Sequence, residues 1–299
     1  MKLNYKRTIL VGFAFFLISA FWQAYDTIVP LILTNKFEME QTYSGIIMSL
    51  DNIFAVFLLP IFGTLSDKTM SKFGKRTPYI TVGTVLAALF LIILGFTPKL
   101  ILFIFVLLGC LLSMATFRSP AVALMPDVTV KPLRSKANAI INLTGTAGAI
   151  LVLVLGMVFA TSKNHYMQYT GYVVAVVCIM LTGLIVFLLT VKEKKWAREM
   201  EEESIRLGLE EVPEEDTDNT EKRKLSKGEM TSLLLILASV ALWFIGYNSI
   251  TSKYSVYATT VLGFDFNFTL IIAQAAAIVS YIPVGIIASK IGRRSKSVV

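Results

Sequence analysis

Eight stretches of this chain are apolar for about 20 residues or more, at 8–33, 43–66, 77–97, 100–125, 137–161, 168–191, 230–252 and 266–289. An α-helix rises 1.5 Å per residue, so each run is long enough to cross the roughly 30 Å hydrocarbon core of a bilayer. The charged residues are 16% of the chain, against about 25% in a soluble domain, and they collect in the turns. The reading is an all-α polytopic membrane protein. Lys2, Lys6 and Arg7 before the first run mimic a signal peptide, but the run is too long and no small-residue cleavage site closes it. It is expected to stay as a helix.

Bases gather at Lys2/Lys6/Arg7, 68–76, 131–136, 192–198, 222–227 and 290–296, while the alternate turns hold only Lys36, Lys99, Lys163 and Lys253. Short cytoplasmic loops are the ones enriched in Lys and Arg, so the N-terminus is placed in the cytoplasm, in the plasma membrane. The net charge of +8 therefore reports topology rather than nucleic-acid binding. Residues 192–228 are charge-mixed without apolar periodicity, and read as a cytoplasmic linker, helical at 192–209 and loose at 212–220. The expected division is a six-helix bundle at 1–191, the linker at 192–228, and the start of a second bundle at 229–299. Cys110 and Cys178 both lie inside apolar runs, so no disulfide framework is implied.

One turn stands out. Gly63-Thr64-Leu65-Ser66-Asp67-Lys68 continues to Gly74-Lys75-Arg76, one acid among several bases. Adding 222 to the numbering gives Gly285-Ile-Ile-Ala-Ser-Lys290-Ile-Gly292-Arg293-Arg294, with Ser289 in place of Asp67. The same offset carries Tyr25-Asp26-Thr27-Ile28 onto Tyr247-Asn248-Ser249-Ile250. A positive-inside loop would explain the bases alone. The order of residues and its repeat resemble the major facilitator transporters, whose parallel halves bind substrate near the midplane. The resemblance implies that fold, here as a six-helix N-terminal bundle with the first two helices of a second. It also implies that Gly63, Asp67, Lys68, Gly74, Lys75 and Arg76 hold helix ends together as a gate. On this reading the second half stops four helices short, as in a truncated chain.

An ionisable side chain inside a membrane helix is a functional candidate by default, because leaving it in lipid costs at least about 2.5 kcal/mol. Asp26, Asp51 and Arg118 qualify, and Lys253 sits near the end of its run. Asp26 and Asp51 fall on the same side of the midplane, within roughly 10 Å of it. Two partly desolvated carboxylates at one depth could exchange protons, unless they face an aqueous vestibule or cap a neighbour. Arg118 falls in the opposite half, about 20 Å from Asp26 along the normal, which argues against pairing. It is open between substrate contact, with Asn138 and Asn142, and a gate pair with Asp127. Lys253 either snorkels to the interface or pairs with Asp26.

The repeat also aligns Tyr25 with Tyr247 and Asn52 with Gln274, and sets Trp243 one position before the counterpart of Trp22. Aromatics beside acids and amides can stack on a sugar and take its hydroxyls; interfacial packing explains them equally. The substrate candidates are Trp22, Gln23, Tyr25, Asn52, Arg118, Asn142, Tyr247, Asn248 and Gln274. His165 has no assigned role. The small residues around Gly145 and Gly148 allow close helix packing, which accounts for them. There is no metal-ligand spacing, nucleophile elbow or phosphate loop, so the chain does not read as an enzyme, and no cofactor is expected.

A second segment narrows the resemblance. Phe117-Arg118-Ser119-Pro120-Ala121-Val122-Ala123-Leu124-Met125-Pro126-Asp127, followed by Arg134-Ser135-Lys136-Ala137-Asn138, is similar to the sucrose/proton symporters and to their glycoside–pentoside–hexuronide:cation symporter neighbours. Gly74-Lys75-Arg76-Thr77-Pro78-Tyr79-Ile80 looks like their boundary between helices 2 and 3. The strong motifs cover 60–80 and 117–142. Plant members carry an acid in helix 4 upstream of the Pro120 position, where this chain has Leu111-Leu112-Ser113-Met114. Melibiose-type members carry two acids before the Pro60 position, where it has Leu59. These departures speak against sodium and leave proton coupling to Asp26 or Asp51, with Asp127, Arg134 and Lys253 as further gating candidates. The resemblance implies a monomer, when full length, that moves a disaccharide or related glycoside with protons. Export of another small solute, and a sensor or inactive remnant that transports nothing, stay open.

Overall fold

The computed structural model describes residues 3–159, 161, 169–209 and 227–291, with side chains described to residue 280. His165, Lys163, the segment 212–220 and the basic cluster beyond residue 291 lie outside the described residues. So do Gly292, Arg293 and Arg294 of the repeated motif. Everything described is helical or turn. The helices are α1 (Tyr5–Leu31), α2 (Gln41–Lys68), α3 (Thr77–Phe96), α4 (Leu100–Asp127), α5 (Arg134–Val158), α6 (Thr170–Thr190), α7 (Glu193–Arg206), α8 (Lys227–Thr251), α9 (Tyr254–Thr260) and α10 (Phe266–Ile291). Among the described residues seven helical segments are long and apolar enough to cross a membrane, and α10 supplies a shorter apolar stretch at Phe266–Ser280.

Local chemistry sets the ends. Asn4 starts α1 by accepting from the Arg7 amide at 3.1 Å, satisfying one of the amides that a helix start leaves unpaired. Pro78 in the first turn of α3 donates nothing where nothing is needed. Interior prolines mark α1, α2 and α4. Pro30 leaves the Asp26 carbonyl without its helical donor, and a π-helical turn at Ile32–Lys36 follows. Threonines one turn on donate to the prolines' own carbonyls, Thr34 to Pro30 and Thr64 to Pro60, both at 2.9 Å.

α1 is the centre of the bundle and packs on α4, α5 and α6, while α3 packs between α4 and α6. The α1–α5 seam is close because α5 is small there. A Cβ on Gly148 would lie 2.8 Å from the Phe16 carbonyl oxygen, and one on Gly145 would lie 2.8 Å from Ser19 Oγ. Without a hydrophobic drive between helices in lipid, such close backbones are what hold a seam together. The helices of the first bundle alternate in direction. One face therefore gathers the start of α1 and the turns at 68–76, 127–134 and 191–193; we refer to it as the N-terminal face. The far face gathers the turns near Lys36, Lys99 and Lys253.

Candidate functional site

Midway along the bundle, Trp22 of α1, Asp51 of α2 and Arg118 of α4 line one narrow cleft, with Phe54, Leu111 and Met114 as its apolar walls. The Arg118 guanidinium lies 5.3 Å from the centre of the Trp22 ring, within cation–π range. Asp26 and Asp51 are each half-buried and within electrostatic reach of Arg118 and of each other. The expectation that Arg118 lies far from Asp26 is therefore corrected. Helical side chains lean toward their own N-terminus. α4 starts at the far face and α1 at the N-terminal face, so Arg118 and the Asp26 region lean toward each other. Counting residues along the normal omitted that lean and the length of the arginine.

Asp51 Oδ1 accepts from the Asn52 backbone amide at 2.6 Å and from its side-chain amide at 2.7 Å. That fixes the Asn52 carboxamide with its oxygen outward, where it accepts from Asn248 of α8 at 3.1 Å. The sequence repeat aligned Asn248 with Asp26; the fold joins it to Asn52. Other candidates lie elsewhere. Asn142 donates to the Asn138 carbonyl one turn back at 2.7 Å and so serves its own helix rather than Arg118. Tyr25 is 1% exposed, stacked on Phe21 and edge-on to Trp22, inside the helix packing. Trp243 and Tyr247 stack on each other at 5.4 Å on an exposed face of α8. Gln23 and Gln274 are half-exposed, and their side chains make no hydrogen bond among the described residues. The Trp22 Nε1 and the Tyr25 hydroxyl are buried without a partner among the described residues.

Lys253 donates to the Gln41 carbonyl at 2.9 Å and to its Oε1 at 3.1 Å. The expected alternative of a pair with Asp26 is corrected. Helix α8 breaks at Thr251, and the turn aims Lys253 along the far face toward the start of α2.

At the N-terminal face the motif turn closes into an ion-pair cluster around a buried Arg76. Arg76, 4% exposed, donates through Nε to Asp127 at 2.7 Å and through its two terminal nitrogens to Ser66 and Asp67. It also reaches the Gly63 carbonyl at 3.5 Å. Lys75 reaches Asp127 at 3.4 Å. Burial works against the Arg76 charge, but Asp127 and then Asp67 outweigh it and hold the guanidinium above its ordinary range. The suggested Arg118–Asp127 pair is thus replaced by Arg76–Asp127. Gly63 lets α2 approach α4: a Cβ there would sit 2.9 Å from Ser119 Oγ. Arg134 donates to the Thr129 and Pro126 carbonyls at 3.1 and 3.0 Å, closing the end of α4. Lys68 makes no ion pair among the described residues.

A further feature of this face is an acid from the mixed-charge segment that follows the first bundle. Glu193, the first residue of α7 and 2% exposed, accepts from the amides of Lys75, Arg76 and Thr77 at 2.7, 2.8 and 2.8 Å and from the Thr77 hydroxyl at 2.7 Å. A carboxylate on three amides at a helix start matches the dipole of α3. Gly74 makes room: its φ of +123° suits only glycine, and a Cβ would collide with the Glu193 carboxylate. Arg7 pairs with Glu199 at 2.5 Å and lies 5.0 Å from the Trp196 ring centre. Together these dock α7 onto the bundle. The signal available was an apolar Trp196 inside an otherwise charged segment.

The family model of the Major Facilitator Superfamily matches residues 11–299. A 135-residue stretch is 28% identical to the sucrose transport protein SUC3 of Arabidopsis thaliana, covering 38% of this chain and 23% of that protein. The match thus spans less than a quarter of that relative's length.

Proposed function

We propose, since this chain belongs to the major facilitator superfamily, that it acts as a secondary active transporter moving a disaccharide or related glycoside together with protons by alternating access. One observation carries this: the cleft sets an indole, a guanidinium and the Asp51 carboxylate together, with Asp26 within electrostatic reach of them. Arg118 balances one acid, so the other can take up and release a proton while the site stays close to neutral, which a low-dielectric interior favours. Trp22 offers a face for a sugar ring, and its buried, unpartnered Nε1 a donor. The SUC3 relative is named as a sucrose transport protein, which supports the sugar class. Proton coupling is assigned to Asp26 and Asp51, and substrate contact to Trp22 and Arg118. The N-terminal face, with Lys68, Lys75, Arg76, Arg134 and Lys192, is assigned to the cytoplasm of the plasma membrane. The Arg76 cluster is the gate there.

Cells expressing the protein are expected to accumulate labelled sucrose or maltose above vector controls under an inward proton gradient, and to lose the excess when a protonophore is added. Reduced retention of a labelled solute would favour export instead. No accumulation of any disaccharide would sink the sugar assignment.

A further inference from the structure

Tyr25 stands behind the cleft rather than in its wall. It is 1% exposed, with its ring stacked on Phe21 at 6.2 Å and set edge-on to Trp22 at 5.2 Å. A phenylalanine would fill that packing equally well. What the tyrosine adds is a hydroxyl, and the hydroxyl has no partner among the described residues. A polar group left unmet inside a membrane bundle is costly, so its presence calls for a reason. Acceptors lie around it. The titratable groups within its electrostatic reach are Asp51 of α2, Asp26 of α1 and the Cys110 thiol of α4, while Arg118 of α4 acts on the two acids. Asp51 is held on one side: its Oδ1 accepts from the backbone and side-chain amides of Asn52, and its Oδ2 makes no hydrogen bond among the described residues. A spare donor thus lies near a spare acceptor.

We propose that Tyr25 is a positioning residue for the coupling proton, its hydroxyl donating to Asp51 Oδ2 once that carboxyl has given up its proton. The inference rests on the transport reading. Arg118 balances one of the two acids, so the second is left without a counter-charge when the proton departs. A protonated carboxyl offers the hydroxyl little, and the O–H then stands alone. An ionised carboxylate accepts a short, charge-assisted bond. Because the bond exists in one charge state only, it eases release of the proton rather than its capture. Tyr25 keeps its own proton throughout, and the carboxyl proton leaves to solvent. A hydrogen bond to a charged group corresponds to about one to two pH units.

The test begins without any solute. With Trp196 and Trp243 replaced by phenylalanine, Trp22 is the one tryptophan left, and its fluorescence in detergent is titrated against pH. Tyr25→Phe is expected to move the midpoint about one to two units toward alkaline pH. Its apparent Tm should stay within about 2 °C of the parent, because no hydrogen bond is lost. Added to Asp51→Asn, Tyr25→Phe is expected to move nothing further, and Cys110→Ala is expected to leave the midpoint in place. An unmoved midpoint in Tyr25→Phe, the same shift in the Asp51→Asn background, an equal shift in Cys110→Ala, or no transition in the parent would each overturn the proposal. So would a fall in Tm well beyond that margin in Tyr25→Phe, which would give the hydroxyl a structural role. Uptake of labelled sucrose or maltose against pH then separates the two readings. A moved fluorescence midpoint in a protein that accumulates no disaccharide would sink the sugar reading and leave the Tyr25 assignment. Sugar accumulation with an unmoved midpoint would do the reverse.

Discussion

Glu193→Ala is expected to destabilise the protein by about 3–5 kcal/mol. The carboxylate takes four hydrogen bonds while 2% exposed. Hydrogen bonds to a charged group are each worth about 1.5–3 kcal/mol, and truncation strands the donors. Water reaching the vacated space recovers part, so the loss falls short of the sum. At about 2–4 °C per kcal/mol for chains of this size, the apparent Tm of the protein in detergent should drop by roughly 6 °C or more. Glu193→Gln keeps the shape and one acceptor but turns an NH2 group toward amide donors, and should lose about half as much. Tm values within about 1 °C of wild type for both variants would mean that α7 does not hold the start of α3.

Arg76→Lys is expected to cost about 2–3 kcal/mol and Arg76→Ala about 3–5 kcal/mol, the range for removing one partner of a buried ion pair. The guanidinium fork reaches Asp127, Ser66 and Asp67 at once, and an ammonium cannot reproduce that geometry. Because Asp127 and Asp67 hold Arg76 above its ordinary range, it stays charged wherever the protein is folded. Its loss therefore leaves Asp127, 20% exposed, with only Lys75 at 3.4 Å. A double variant, Arg76→Ala with Asp127→Ala, should recover part of the loss, since no carboxylate is then stranded. Additive losses in this thermodynamic cycle would contradict the pairing.

The membrane helices were legible because run length is a local property. A third helix expected at 77–97 is found at Thr77–Phe96, and a sixth expected at 168–191 at Thr170–Thr190. The family was legible because its turn motif is compact and its bases are needed within a few residues of one another. What escaped depends on direction and distance. Asp26 and Arg118 were placed at separate depths because residue counts carry no information about the lean of side chains on antiparallel helices. Lys253 found Gln41 rather than Asp26 because α8 breaks beside it, and no proline or glycine announces that break. Glu193 is one acid in a mixed-charge segment, more than 100 residues from the amides it caps. Only the neighbouring Trp196 distinguished that segment from a solvated linker.

The most direct measurement is proton entry into cells on adding sucrose or maltose, followed as alkalinisation of the medium, for wild type, Asp26→Asn and Asp51→Asn at matched surface expression. The account predicts sugar-triggered entry in wild type and its loss in at least one of the two variants, since Asn keeps the shape and cannot carry the proton. Entry that survives in both variants would contradict coupling through the acidic cleft. Absence of any signal with every disaccharide in wild type would contradict sugar symport itself.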